Sequence, residues 1–256
     1  MKKLLIASVA ALATLVAAPA LAASGQVDIG YHGADGLGSG NNLNDVVFGG
    51  AVATQFSGEW GGQFDAHFER IDGAGERTTL STGTAHLFKR NDSYLVGAYA
   101  SVADVLGAGL YAGGIEGQKY FDRATLYGTV GYGTSDFRNN NVTAWNVAAD
   151  AKGFITDNLT VDLKVDYTDG QQNLNGHVTT YGVGAEWKPE GHPFSLFAEY
   201  ARHAPSGRSF GLTSISDYNT YGVGFRWNFG VKTLKERDRS GASLRTGSFL
   251  SDAFLN

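Results

Sequence analysis

His67 is the histidine whose neighbours best suit proton transfer, because Asp65 and Glu69 lie two residues before and two residues after it. In an extended strand these three side chains point to one face, where a carboxylate can orient or deprotonate an imidazole. No nucleophile motif accompanies them, the six histidines are scattered, and no spacing typical of metal ligands is present. We therefore predict no catalytic residue, no metal site, no cofactor and no enzyme, and interpret His67 as a hydrogen-bonding residue.

Charged residues elsewhere occupy positions that alternate with apolar ones. Between residues 159 and 168, apolar or aromatic residues at every odd position alternate with polar residues at every even position. Because successive side chains of a strand point to opposite faces, one face of such a segment is apolar and the other is polar. The ionisable residues that we assign to polar faces are Asp28, His32, Asp65, His67, Glu69, Glu116, Asp150, Lys152, Asp162, Lys164, Asp166, Glu186, Lys188, Glu199 and Arg226.

The stretch from Tyr218 to Phe229 shows the element that carries these faces. Its odd positions are apolar or aromatic from Tyr221 on, and its even positions are small or polar. A similar motif, YGVGAEW, occurs forty residues earlier, at residues 181–187. Twelve segments of about ten residues follow this pattern, and 36 glycines with many aromatic residues fit a turn-rich β protein. The sequence therefore predicts an all-β fold of twelve antiparallel strands.

The connections between these segments alternate in length. Links that follow an even-numbered segment are short, whereas most links that follow an odd-numbered one are longer polar loops, such as residues 71–79 and 135–142. No charged residue lies near the middle of an assigned apolar face, and Lys119, which falls on such a face, lies beside a short turn. Barrels that span a membrane have short turns at one rim, longer loops at the other and an even number of strands.

Aromatic residues cluster near both ends of the segments, as they do in the two girdles that bracket the apolar band of a membrane barrel. The residues that we assign to the membrane interfaces are Trp60, Phe121, Trp145, Tyr167, Trp187, Tyr200 and Trp227. A soluble sandwich of two sheets is the alternative, but its second face should be solvated and its loops need not alternate in length. We predict a closed antiparallel transmembrane β-barrel in which residues 218–229 pair with residues 26–32, so that no edge remains in lipid.

The two ends of the chain differ from the predicted barrel. Lys2 and Lys3 precede an apolar run over residues 4–16 and a small-residue cleavage pattern at residues 20–22, which is typical of a secretory signal. We predict a signal peptide at residues 1–22, a barrel at residues 23–230 and a flexible periplasmic tail at residues 231–256. The absence of cysteine fits an exported protein without disulfides.

Charge distinguishes the barrel region from the tail. Residues 23–230 contain 13 Lys and Arg against 22 Asp and Glu, a net charge of −9, whereas residues 231–256 carry a net charge of +2. An acidic chain argues against nucleic acid as a partner, because phosphates require a basic surface. A sharper hypothesis for the tail is that it contacts peptidoglycan or re-enters the barrel mouth, where its positive charge would meet the acidic lumen.

The polar faces would line the lumen, and two interpretations of them stay open. In the first, the lumen is a hydrated channel whose mostly acidic wall weakly favours cations. In the second, acids and bases pair across neighbouring strands, for example Asp162, Lys164 and Asp166 with Asp150 and Lys152, and fill the lumen. Twelve strands lie between the eight that side chains fill and the sixteen that enclose a channel.

Three stretches resemble a known group: the N-terminal signal, GTAHLFKRNDSYLVGAYAS at residues 83–101, and FRWNFG followed by LKERDRSGASL near the end. They resemble porin-like outer-membrane β-barrel proteins of Gram-negative bacteria, particularly of the α-proteobacterial type. The resemblance implies an outer-membrane location, contact with outer-membrane lipid and insertion by the barrel-assembly machinery, and it brings no catalytic residues. Trp227 and Phe229 resemble the aromatic assembly signal that usually ends such chains, although here 27 residues follow Phe229.

These observations give two hypotheses for function. The first is a porin-like barrel that allows passive diffusion of small polar solutes. The alternative is a structural or surface-interaction barrel with a closed lumen and no transport, whose outer loops make the contacts.

Overall fold

The computed structural model describes residues 23–35, 43–73, 76–105, 108–137, 140–172, 175–209, 212–213 and 216–245. The predicted signal peptide lies outside these residues. The described residues form thirteen strands and one helix: β1 (Ser24–Asp35), β2 (Leu43–Ser57), β3 (Trp60–Gly73), β4 (Glu76–Arg90), β5 (Tyr94–Val105), β6 (Ala108–Phe121), β7 (Ala124–Phe137), β8 (Asn140–Thr156), β9 (Leu159–Gln172), β10 (Asn175–Trp187), β11 (Phe194–Ser209), β12 (Leu212–Thr213), β13 (Tyr218–Phe229) and α1 (Leu234–Ser240). Within the described part of the chain, no helix is long and apolar enough to cross a membrane.

Twelve of the strands form a closed antiparallel ring. From β1 to β11 each strand pairs with the next one along the chain, and β13 pairs with β11 on one side and with β1 on the other. The two-residue β12 pairs with the end of β11. The predicted closed barrel of twelve strands is therefore confirmed.

The seam between β1 and β13 closes the ring in the register that the sequence predicts. Val27 lies opposite Trp227, Ile29 opposite Phe225, and His32 opposite Gly222. Each strand of the ring thus has a neighbour on both sides. Its backbone N–H and C=O groups are satisfied within the sheet, which a hydrocarbon environment requires.

The apolar faces point outward and form an exposed band around the ring. Ile115 is 66% exposed, Leu163 60% and Phe225 61%, although all three lie in the middle of their strands. Exposure of so many large apolar side chains on one continuous surface is unusual for a protein in water and is what a membrane-spanning barrel requires. Lys119 also points outward, but it lies two residues from the end of β6, where a lysine can reach the polar interface.

The structure defines the faces of β4 and β5, which the sequence left ambiguous. In β4 the inward positions are Thr82, Thr84, His86, Phe88 and Arg90, all of which are buried. Alternation is weak there because the outward positions include glycine and alanine, and because the inward positions include the large apolar side chain of Phe88. The strand β4 therefore brings a histidine and an arginine into the lumen that hydrophobic periodicity did not assign.

The strands are longer than predicted. Most connections that were predicted to be long loops, those after odd-numbered strands, are therefore as short as the other connections. β3 ends at Gly73 and β4 begins at Glu76, so the predicted loop at residues 71–79 is largely strand, and so is the one at residues 135–142. Strands of the ring have 12 to 17 residues, whereas about 9–11 residues suffice to cross a membrane. The additional strand residues are mostly polar and extend the sheet beyond the apolar band. Backbone hydrogen bonds between strands form there without an apolar face.

Gly224 of β13 allows the seam to close around an aromatic ring. A Cβ atom at this position would collide with the backbone oxygen of Ile29 in β1 and would lie 2.5 Å from Cζ of Phe197 in β11. The ring of Phe197 therefore packs directly on the backbone of the closing strand. An alanine here would have to displace either the ring or the neighbouring strand.

We expect Gly224→Ala to destabilise the barrel by about 1–3 kcal/mol, the usual cost of overpacking. The measurement is the urea concentration at which unheated samples lose the fast gel mobility of the folded barrel. Gly184→Ala is the matched control, because an added Cβ at this luminal position of β10 would have its nearest neighbour 3.6 Å away, at the backbone oxygen of Ala198. Equal midpoints for the two variants would contradict the role assigned to Gly224.

Candidate functional site in the barrel lumen

The lumen contains a cavity of about 600 Å³ whose wall combines strand residues with residues of the C-terminal segment. Residues 231–245, which we call the plug segment, enter the barrel and contribute Arg237, Asp238 and residues 242–245 to the cavity lining. The prediction of a flexible tail is therefore wrong for these fifteen residues. They re-enter the barrel mouth, as the sharper hypothesis for the tail proposed. Opposite charges on the segment and the wall hold it in the lumen.

The plug segment starts with the helix α1, which docks on the turn between β8 and β9. Leu234 N donates to Asn158 Oδ1 at 3.3 Å and Lys235 N donates to the backbone oxygen of Asp157 at 3.0 Å. Thr233 caps the helix by accepting a hydrogen bond from Glu236 N at 3.0 Å. Leu234 is buried at 2% exposure, so the helix packs against the barrel instead of extending into solvent.

Glu186 of β10 is the main anchor of α1. Arg237 approaches it as a fork, with Nη1 at 2.8 Å from Oε1 and Nη2 at 2.6 Å from Oε2. Arg226 Nη1 donates to the same carboxylate at 2.6 Å, and Ser195 Oγ donates to it at 2.5 Å. Arg237 also donates to Asn228 Oδ1 at 2.5 Å. The two side chains of the Arg237–Glu186 pair are 8% and 7% exposed, so this is a buried, bidentate ion pair.

Asp238 connects the same helix to β7 and β8. Its carboxylate accepts a hydrogen bond from Thr125 Oγ1 of β7 at 2.6 Å and one from Lys152 Nζ of β8 at 3.4 Å. Lys152 also lies 3.9 Å from Asp162 of β9. The plug segment thus adds acid as well as base to the lumen, and both find partners there.

Beyond α1 the chain crosses toward β3 and β4. Arg90 donates to the backbone oxygen of Gly241 at 2.9 Å and to Ser243 Oγ at 2.8 Å. Gln63 Oε1 accepts from the backbone nitrogens of Ser243 and Leu244, at 3.0 and 3.1 Å, as a neighbouring strand would. The side chain of Leu244 belongs to a buried cluster with Phe88, Leu95, Tyr120 and Tyr127. This apolar cluster lies inside a lumen that the sequence predicted to be polar.

Arg245 ends the described part of the plug segment between two carboxylates. Its Nη2 lies 3.0 Å from Asp150 Oδ1, and its Nη1 donates to Asp166 Oδ2. Burial disfavours the charged guanidinium, but the carboxylates of Asp150 and Asp166 outweigh that effect and raise the pKa of Arg245 above its ordinary value. Arg245 therefore stays charged at every physiological pH.

His86 of β4 bridges two buried acids beside the plug segment. Its Nε2 lies 2.7 Å from Asp65 Oδ2 and its Nδ1 lies 2.7 Å from Glu116 Oε1. Each ring nitrogen is therefore within hydrogen-bond distance of one carboxylate, and the imidazole bridges β3 and β6. Gln63 donates to Asp65 Oδ1 at 2.7 Å and so connects this group to the plug segment. Across the described ranges, no cluster of His, Asp and Glu side chains could hold a metal ion.

The part of the cavity farther from α1 is lined by looser ion pairs. Glu199 lies 3.4 Å from His32 and 3.7 Å from Lys164, and its side chain is 41% exposed. Arg226 lies 3.7 Å from Asp28 in addition to its contact with Glu186. The distances and exposures at His32, Lys164 and Glu199 indicate hydrated charges that face the cavity.

All fifteen predicted residues lie in strands or links whose polar side faces the lumen. Eleven of them border the cavity: His32, His67, Glu69, Asp150, Lys152, Asp162, Lys164, Asp166, Glu186, Glu199 and Arg226. Of the others, Asp28 contacts Arg226, Asp65 and Glu116 hold His86, and Lys188 donates to the backbone oxygen of Lys232 at 2.6 Å. Asp65, which the sequence placed beside His67, is thus engaged by a different histidine.

Several residues that organise the lumen were missed. Arg237, Asp238 and Arg245 belong to a segment predicted to lie outside the barrel, and the signal that pointed to them was its net positive charge. His86 and Arg90 lie in β4, where small residues weaken the alternation. Counting in steps of two from the polar residues Thr82 and Thr84 would have placed His86 and Arg90 on the same luminal face.

Four of the predicted interface aromatics, Trp60, Phe121, Trp187 and Trp227, lie at or near strand ends, whereas Trp145, Tyr167 and Tyr200 lie well inside β8, β9 and β11, which extend beyond their predicted ends. Trp60, Phe121, Trp187, Trp227 and Tyr200 are between 42% and 49% exposed on the outer surface. Trp145 and Tyr167 are only partly exposed, since their rings pack at 5.3 Å between centroids. Trp145 Nε1 donates to Asp169 at 2.9 Å. Phe229 packs against Trp227 at 5.7 Å and lies opposite Gly25 in β1.

Neither a protein-family model nor a curated relative matches this sequence. The fold, however, is similar to that of solved outer-membrane proteins. A KdgM porin in complex with disordered oligogalacturonate aligns with a TM-score of 0.57 and 12% identity over 80% of this chain and 99% of that one. The NanC porin aligns with a TM-score of 0.62 and 10% identity over 78% and 98% of the two chains. An outer membrane channel from Pseudomonas putida F1 aligns with a TM-score of 0.59 and 13% identity over 81% and 95%. At these identities the likeness establishes a shared barrel fold.

We expect Glu186→Gln to loosen the plug segment. Removing one partner of a buried ion pair costs roughly 3–5 kcal/mol, and this change would leave two arginines facing each other without the carboxylate between them. In detergent, trypsin should then cut after Lys235, Arg237, Arg239 or Arg245 at least tenfold faster than in the unmodified protein.

The matched control for this experiment is Asp217→Asn. It breaks an ion pair of similar length, 2.7 Å to Arg202, in which both side chains are exposed and distant from the plug segment. Exposed pairs contribute little to stability, so cleavage should stay at the original rate. Unchanged cleavage in the Glu186 variant would show that this carboxylate does not hold the segment.

Proposed function

We propose that this protein is a porin-like channel of the outer membrane for small polar solutes, and that the plug segment restricts its inner mouth. The observation that carries the proposal is a cavity of about 600 Å³, lined by charged side chains, within a closed barrel whose outer surface is apolar. A hydrated polar lumen inside a lipid-facing barrel gives small solutes a path through the membrane. The fold neighbours, which include porins and a channel, support transport over catalysis.

The orientation follows from the rims of the barrel. Outer-membrane barrels extend farther beyond the membrane on their outer side than on their periplasmic side, where they end in short turns. The strand extensions beyond the apolar band, at the β3–β4 and β7–β8 connections, lie at the rim opposite the turn between β8 and β9. The turn between β8 and β9, on which α1 docks, belongs to the same rim as the start of β1 and the end of β13. We therefore place the plug segment at the periplasmic mouth. Contact between this region and peptidoglycan stays a prediction.

The cation preference of the channel depends on the plug segment. The barrel region carries a net charge of −9, but Arg237 and Arg245 neutralise Glu186, Asp150 and Asp166 while the segment is in place. If the plug segment left the lumen, these carboxylates would be exposed to permeating ions. We infer a weak preference for cations that becomes stronger when the segment is displaced.

Assembly of the barrel should use the routes suggested by the resemblance. Trp227 and Phe229 lie at the end of the closing strand, where the barrel-assembly machinery would recognise an aromatic signal. Outer-membrane lipid would contact the exposed apolar band. Membership of the α-proteobacterial type stays a prediction that rests on the sequence.

A closed structural barrel is the second candidate, and the plug segment is the observation that favours it. It crosses the lumen from the β8–β9 turn to β3 and β4, and its charges are paired with the wall. If the segment never leaves, the barrel conducts nothing and its function would lie in its outer surface.

Deleting residues 231–256 should raise single-channel conductance at least severalfold and shift the reversal potential toward that of an ideal cation channel. The truncated chain would end one residue after Phe229, close to where barrels of this kind usually end. The full-length variant Arg237→Gln/Arg245→Gln should change conductance in the same direction, because it removes the two anchors of the segment.

Lys235→Gln is the control within the plug segment, since Lys235 pairs with the exposed Asp157 at 3.6 Å and does not border the cavity. Its conductance should equal that of the original protein. If the truncated barrel is folded, as judged by heat-modifiable gel mobility, and conducts nothing, the channel proposal fails and the closed barrel is favoured. Equal conductance with and without the segment would refute its restricting role.

A further inference from the structure

The carboxylates of Asp150 and Asp166 form a site that is already occupied by a guanidinium group. They lie on the adjacent strands β8 and β9, two residue pairs apart in register, and both direct an oxygen at Arg245. Each Nη atom of the guanidinium meets a different carboxylate. The planar guanidinium thus reaches the two carboxylates with the two ends of its fork, whereas an ammonium group would have to reach both from a single nitrogen atom.

Residues of the wall orient the carboxylate of Asp166. Asn146 Nδ2 donates to Asp166 Oδ1 at 2.5 Å, and Thr168 Oγ1 lies 3.3 Å from the same oxygen. The other oxygen of Asp166 is the one that contacts Arg245. Because Asn146 and Thr168 are buried strand residues, the carboxylate keeps its direction when the guanidinium leaves.

The lysines nearest this site are engaged elsewhere. Lys152 lies within ion-pair distance of Asp162 and Asp238, and Lys164 lies within that distance of Glu199. Within the part of the chain that the structure describes, the ion pairs of Asp150 and Asp166 are both with Arg245. Two adjacent negative charges would therefore face the cavity once Arg245 withdraws.

We propose that Asp150 and Asp166 form a binding site for small solutes that carry a guanidinium group, and that Arg245 occupies it as a tethered competitor. The site borders the cavity, and the Arg245 side chain is 28% exposed, so a solute within the lumen reaches it. The role of this site in solute entry rests on the proposed channel function, whereas binding itself does not.

The tether determines how tightly a free solute binds. An attached group competes at an effective concentration in the millimolar range or above for a short link. A free guanidinium compound must exceed that concentration to occupy the site in the unmodified protein. Removing the Arg245 guanidinium removes the competitor and leaves the carboxylates in place.

The test uses methylguanidinium chloride and the full chain in detergent, with binding measured by ligand-observed NMR titration. We expect Arg245→Gln to bind methylguanidinium at least tenfold more tightly than the unmodified protein. Arg245→Lys keeps the charge but loses the fork, so it should give an intermediate affinity. Methylammonium chloride should bind Arg245→Gln more weakly than methylguanidinium.

Two further variants make the result specific. Adding Asp166→Asn to Arg245→Gln should abolish the gain, whereas Arg202→Gln, which removes a guanidinium from an exposed pair with Asp217, should leave the original affinity unchanged. Each variant is first shown to be folded by its heat-modifiable mobility. If Arg245→Gln binds no more tightly than the original protein, or binds equally with and without Asp166, the proposed site is refuted.

Failure of this site and failure of the channel give different results. Binding by Arg245→Gln in a barrel that never conducts would retain the site and refute the channel. Steady conductance without methylguanidinium binding would retain the channel and refute the site.

Discussion

The need to satisfy every backbone hydrogen bond in a lipid environment is the constraint on which the rest of this structure depends. An unpaired N–H or C=O group in hydrocarbon costs several kcal/mol, so a sheet can lie there only when it has no edge. Pairing of β1 with β13 removes the last two edges. The close approach at Gly224, where the ring of Phe197 packs on backbone, follows from this closure.

Closure also decides where charge must go. Once the apolar faces point to lipid, the polar faces of twelve strands converge in one lumen, and these faces carry more acid than base. Like charges at close range in a partly dehydrated space repel, and neighbouring strands supply too few bases to cancel them. The plug segment adds arginines at the acidic positions, so that Glu186, Asp150 and Asp166 each meet a guanidinium.

Charge pairing explains how a short helix is held in the lumen. A helix of seven residues is not stable alone in water, because the cost of nucleation is spread over too few hydrogen bonds. Here its cap, its docking on the β8–β9 turn and the Arg237–Glu186 pair stabilise it together.

The sequence by itself determined the architecture, because the signal for a strand that faces lipid is local. The alternation over residues 159–168 and at Tyr218–Phe229 is visible residue by residue, and with closure it predicts the ring, the seam and the luminal face of residues such as Asp162 and Glu186. Strand ends were harder, since polar residues beyond the apolar band pair in the sheet without a hydrophobic pattern.

Only the tertiary structure decided which luminal charges meet. Asp65 is two residues from His67 along the chain, yet it bonds His86, because pairing across β3 and β4 brings His86 closer. Arg245 lies 79 residues from Asp166 in sequence and contacts it directly. The net charge of the tail indicated an attraction to the lumen, but Coulomb attraction is not directional and does not identify which residues pair. The positions of carboxylates on the folded wall select the arginine that each one binds.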